Sequence, residues 1–146
     1  MSKSNTFEND LLLLIFNNID IALIGDAAGI QNSAAAGSLY VSLHTSDPGE
    51  AGAQNTNETT YTGYARVAVA RSGSGWTVTA NAVENAAAIT FGECSSGTPT
   101  ITHFGVGAES SGAGKLLYSG ALDASLAVSP GITPEFAVGA LDVTED

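Results

Sequence analysis

From Ser38 onward the apolar residues recur at every second position, in short runs broken by glycine, proline and small polar residues. This period is the strongest constraint on the fold, because successive side chains of a strand project from opposite faces. In SLYVSLHT (38–45), Leu39, Val41 and Leu43 point one way, while Tyr40, Ser42 and His44 point the other. Further strands are predicted in YARVAVAR (64–71), WTVTANAV (76–83), AAAITF (86–91), TITHFGVG (100–107), KLLYSG (115–120), ALDASLAV (121–128) and EFAVGALDV (135–143). Pro48 and Gly49 set a turn in SDPGE, and RSGSG, ECSSGTP, ESSGAG and SPGITP read as further turns. AGAQNTNETT (51–60) is polar and reads as an exposed loop. The expected class is an all-β β-sandwich, with a jelly roll as the leading topology.

The N-terminal part follows a different period. Residues 6–26 read as the one α-helix, with Thr6 as its cap, Glu8 and Asp10 at the positive end of the dipole, and Gly25 as its stop. Leu11, Leu14, Ile15, Asn18, Ile21 and Ala22 follow three-four spacing, and Leu12, Leu13, Phe16, Ile19 and Leu23 widen the apolar surface. Such a helix must cover a sheet or dock on a neighbour. The expected organisation is therefore a helix and connector over 1–37, followed by a β-sandwich domain over 38–146. Leu12, Ile15, Phe16 and Ile19 are the candidate anchors for a protein partner, with coverage of their own sheet as the other reading. Tyr40, His44, Tyr61 and Arg66 are weaker candidates for a subunit contact.

The chain carries 15 acidic and only 4 basic residues, a net charge of −11. Lys3, Arg66, Arg71 and Lys115 are too few and too scattered to neutralise a phosphate backbone, so nucleic acid is not an expected partner. An acidic surface suits a basic protein partner or solubility. The apolar run 11–16 is too short to span a bilayer, and Glu8 and Asp10 stand where a signal peptide would be basic. Cytoplasmic synthesis without a membrane role is expected.

No motif for chemistry survives inspection. His44 and His103 lack the spacing that places two imidazoles on one helix face, so neither a metal nor a cofactor is expected. A histidine hydrogen-bonded to a loop backbone is the plainer reading. Ser42, His44 and Asp47 have the residue types of a hydrolytic triad, but no nucleophile elbow surrounds the serine. GVGAESSGAG (105–114) lacks the ending and following helix of a phosphate loop. Cys94 is the only cysteine and reads as a small buried filler. Tyr40, Tyr61, Tyr64, Trp76 and Tyr118 are candidates for an aromatic saccharide platform, with strand core or subunit interface as the plainer role. No catalytic residue is assigned, and the chain is not expected to be an enzyme.

An ordered series of segments resembles small structural proteins of bacteriophage particles. It comprises SLYVSLHTSDPGE (38–50), YTGYARVAV (61–69), NAAAITF (85–91), ITHFGVG (101–107), GKLLYSGAL (114–122) and GITPEFAVGALDVTED (131–146). The resemblance covers residues 38–146, and LLLLIFNN (11–18) is similar to a closer subset. It implies a virion component. The leading expectation is a capsid decoration, or cement, protein on the outer capsid surface. Its partners would be the major capsid protein and copies of itself, with a trimer at a local three-fold axis as one arrangement. The alternatives are a minor tail or tail-fibre-associated protein contacting other tail proteins, and a host-glycan-binding module.

Overall fold

The computed structural model describes residues 2–146. In chain order its elements are α1 (Asn5–Asn17), β1 (Ser38–His44), β2 (Val67–Ala70), β3 (Trp76–Thr79), β4 (Ala82–Asn85), β5 (Ile89–Thr90), β6 (Thr100–Gly107), β7 (Leu116–Ala127), β8 (Glu135–Phe136) and β9 (Asp142–Thr144). Among the described residues the chain is mostly β-structure with a single short N-terminal helix, the all-β sandwich class that the period-two pattern predicts. Its sheets are β2-β1-β6-β7, β3-β4-β9 and β5-β8. These orders do not reproduce the two four-stranded sheets of a jelly roll.

The chain folds as two compact units. The first comprises residues 1–38, 69–88 and 136–146, and the second residues 39–68 and 89–135. In the first unit Ser4 caps α1, its hydroxyl accepting the Phe7 N–H at 3.4 Å, two residues earlier than the Thr6 cap read from sequence. Glu8, Leu12 and Phe16, four apart, form the buried face, and α1 packs on β3 and β4. The Phe16 ring meets Trp76 edge-on, with centroids 4.9 Å apart, and both side chains are fully buried.

The helix ends at Asn17, well short of Gly25. Asn18 is left-handed, at φ 57, and the Ile19 N–H reaches back six residues to the Leu13 carbonyl at 3.2 Å, closing the helix end. Asn18 is held there by its own amide, which donates to the Ser33 carbonyl and accepts the Ser33 N–H. The last turn of α1 has no basic residue of its own. Arg71 supplies one from far along the chain: Nε donates to the Ile15 carbonyl and Nη2 to the Leu14 carbonyl, both at 2.6 Å. This satisfies carbonyls that the helix end leaves orphaned and places a cation at the negative end of the dipole.

WTVTANAV is a hairpin rather than one strand. Thr79 and Ala82 are register partners, and the chain reverses through Ala80, at φ 55, and Asn81. Partners outside the hairpin pin this turn: Asn9 donates to the Ala80 carbonyl at 2.9 Å, and the Glu145 N–H donates to the Asn81 carbonyl at 2.8 Å. Fully buried Asn85 ties β4 to the C-terminal segment. Its Nδ2 donates to the Ala87 and Ala137 carbonyls, and its Oδ1 accepts the Leu141 N–H.

In the second unit β1 and β6 run antiparallel with His44 opposite His103, and β6 pairs with β7. β7 is a single strand where KLLYSG and ALDASLAV read as two. Gly120 lies opposite Phe104, and a Cβ there would stand 2.9 Å from the ring, so this glycine seats an aromatic instead of making a turn. The irregularities in β7 fall elsewhere: residues 122–125 bulge opposite Thr102, and Leu117 is an extra residue between the partners of Val106 and Gly107.

Candidate interaction site

The helical candidates divide by burial. Leu12 and Phe16 are fully buried in their own unit, Ile15 is half-buried, and Ile19, just past the cap, is 48% exposed. Leu12 and Phe16 thus hold α1 to its own sheet. A partner can reach only Ile19 fully, because i, i+4 spacing sends Leu12 and Phe16 to the sheet side. Further exposed apolar side chains lie where the sequence reading placed helix or connector: Leu23 at 81%, with Ile24 and Ile30 at 43% each. The early helix stop is what exposes them, and the asparagine pair at 17–18 was the signal for it.

Tyr40, His44, Tyr61 and Arg66 all lie in the second unit. Tyr40 is half-buried, while His44, Tyr61 and Arg66 are buried. The last three are therefore inward-facing in the folded chain rather than free contact residues, each drawn in by an internal partner. His44 is sealed from solvent: Nε2 lies 2.9 Å from the Ser42 hydroxyl, and Nδ1 lies 2.8 Å from the Thr56 carbonyl. The carbonyl can only accept, so Nδ1 carries the proton and Nε2 accepts from Ser42. Burial holds the imidazole below its usual range, with the Thr56 carbonyl partly opposing it. Gly105 makes the space, since a Cβ there would stand 2.7 Å from both Nε2 and the Ser42 hydroxyl. Although His44 faces His103 in register, its ring is turned to Ser42 and Thr56. Among the described residues no group of three or more His, Cys, Asp or Glu side chains is placed to hold a metal ion.

Arg66 is the hub of a second buried network. Its Nε and Nη2 donate to the two Glu58 carboxylate oxygens at 2.7 Å each. Nη1 and Nη2 also reach the Glu109 and Gly112 carbonyls at 2.9 and 2.7 Å. Tyr64 donates to Glu58 at 2.7 Å and accepts the Leu43 N–H at 3.1 Å, and burial beside that carboxylate keeps the phenol protonated. Tyr61 donates to the Gly92 carbonyl and packs edge-on against Tyr64, 5.4 Å between centroids. The cluster joins the polar 51–60 segment to the 109–112 turn.

That polar segment is less exposed than its composition implies. Gln54 is fully buried, donating to the Tyr40 carbonyl at 3.0 Å and accepting the Glu109 N–H at 3.2 Å. Gly107 and Gly114 provide its slot; a Cβ at either would fall within 2.7 Å of the amide. The missed signal was the glycines at 107 and 114, which mark a close approach as well as a turn.

Two open hollows remain in this unit. One, of about 580 Å³, is lined by Asp47, Glu50, His103 and residues 116–121 of β7. The other, of about 350 Å³, lies over Glu58, Tyr61, Tyr64, Arg66 and the 110–112 turn. Trp76 and Tyr61 are buried, which removes them from any exposed saccharide platform. Among the described residues no helix is long and apolar enough to cross a membrane.

No curated protein matches the sequence. A family model described as podophage GP4 fiber I protein gp80 matches residues 2–144.

Proposed function

Because the chain belongs to the podophage GP4 fiber I protein gp80 family, a family of tail-fibre-like phage virion structural proteins, we propose that it is a tail-fibre-associated component working through protein contacts without catalysis. The observation that carries this reading is the match over residues 2–144, which takes in α1 and every strand. It favours the tail alternative over the capsid-decoration role expected from sequence. The neighbours that follow are copies of the chain and other tail proteins rather than the major capsid protein.

The internal chemistry supports a scaffold. Ser42 and His44, the pair nearest to a nucleophile and base, are sealed from solvent, so a substrate has no route to the Ser42 hydroxyl in this conformation. Gln54, Glu58, Arg66 and Asn85 fasten loops to strands. Loops held this way present a fixed surface, and a preorganised surface loses less entropy on association.

Electron cryomicroscopy of the parent virion tests the proposal. Density for this chain in a tail fibre or at its attachment is expected. Density repeated over the capsid lattice, or no density in the particle, would overturn it.

A further inference from the structure

Residues 19–30 form a short excursion after α1 whose shape is set by its own polar groups. Ile21 and Ile30 close it as a bridged pair, with backbone hydrogen bonds of 3.0 and 2.8 Å. Asp20 Oδ1 accepts the Asn32 N–H at 2.7 Å, and Asp26 Oδ1 accepts the Ala28 and Gly29 N–H groups at 2.8 and 3.0 Å. Gly29, at φ 68, lies against the Ile21 carbonyl so closely that a Cβ would stand 1.9 Å from the oxygen.

On this frame Ile21 is buried, while Ile19, Leu23, Ile24 and Ile30 are exposed. Leu23 is also left-handed, at φ 65, a conformation unfavourable for an L residue with a side chain. A strained backbone that holds a large apolar side chain 81% exposed to water carries two costs. Such strain persists only where the surroundings over-determine it, and it is enriched at functional positions.

We propose that residues 19–30 are a preformed apolar knob that inserts into a hollow rimmed by Lys and Arg on a different virion protein. This rests on the virion-structural reading above. The charge pattern selects the partner. Exposed Asp20 and Asp26 lie on the knob itself, among its apolar side chains in sequence, and the chain as a whole carries −11. Of its four cations, Lys3 pairs with Glu145 at 3.1 Å, Arg66 is held by Glu58, Arg71 by the carbonyls of α1, and exposed Lys115 alone does not make a rim. A second copy would therefore meet the knob with like charge and no cationic rim. A basic rim would attract the two carboxylates and speed encounter.

The test uses virions assembled without this chain and the purified full-length protein, with bound protein read by co-sedimentation. Wild type is expected to bind, more weakly as salt rises. Leu23→Ser/Ile24→Ser is expected to lose binding on the order of 100-fold, from two apolar side chains no longer buried. Its melting temperature should match wild type, because these side chains face solvent, and Leu23→Ser alone serves should the double variant misfold. Asp20→Asn/Asp26→Asn retains an acceptor oxygen for each loop hydrogen bond and should flatten the salt dependence. Equal binding by the knob variants, or binding indifferent to salt, would overturn the proposal. So would wild-type self-association that the knob variants abolish, which would make a second copy the occupant. Failure of wild type itself to bind the particles would sink the virion reading along with it.

Discussion

Replacing Arg66 by Met is expected to be among the most destabilising single changes in the second unit. Methionine keeps much of the aliphatic stem and removes the guanidinium, whose side chain is 2% exposed beside a Glu58 side chain at 13%. The change deletes two charge-assisted bonds to the carboxylate and one each to the Glu109 and Gly112 carbonyls. Glu58 then keeps the Tyr64 hydroxyl as its remaining partner in this network. Removing one partner of a buried pair costs about 3–5 kcal/mol, because the other charge stays desolvated. For a chain of this size that corresponds to a fall of about 10–16 °C in melting temperature. Urea unfolding should show a lower midpoint at unchanged slope. Arg66→Met/Glu58→Gln should recover part of the loss, with a coupling of at least about 1 kcal/mol, since the stranded charge is gone. Amide exchange should rise at residues 109–112 in the single variant. A loss below about 1 kcal/mol would refute the reasoning, since that is the range of an exposed, screened ion pair.

Gly105→Ala should cost about 1–3 kcal/mol by overpacking, as the new methyl would sit 2.7 Å from the His44 ring; urea denaturation showing no loss would refute that packing. His44 should make stability fall in mild acid. Its folded-state pKa is depressed by burial, so the unfolded chain takes up the proton first; the contribution is complete above the ordinary value of 6.5 and is lost as pH drops from there towards the folded value. Stability curves for wild type and His44→Gln should accordingly converge below that pH, and parallel curves would exclude the effect. Arg71→Met should cost roughly 1.5–3 kcal/mol and fray the end of α1, seen as lost helical ellipticity and faster amide exchange at residues 17–19.

Some of the architecture could be read directly from local pattern. β1 and β6 occupy the alternating runs that predicted them, since period two survives wherever one strand face is buried. The acidic first turn of α1 and a loop-backbone partner for His44 were likewise legible. Composition also limited function: with 4 basic residues and no motif spacing for catalysis or metal, a structural reading was the natural one. Single residues whose partners lie far along the chain were not legible. Gly120 reads as a turn until Phe104 is set opposite, and Gln54 reads as solvated until Gly107 and Gly114 open a slot for it.

By itself, then, the sequence determined the all-β class, the N-terminal helix and the acidic character of the surface, because periodicity, capping and charge are properties of neighbouring residues. Only the tertiary structure decided that α1 stops at Asn17, that Arg71 closes it, that Leu12 and Phe16 turn inward, and that Leu23 stands in solvent. Each of these depends on a hydrogen bond or an apolar contact between segments distant in the chain. Such a contact can override local propensity, as the Asn18–Ser33 pair does for an apolar stretch that would otherwise continue as helix.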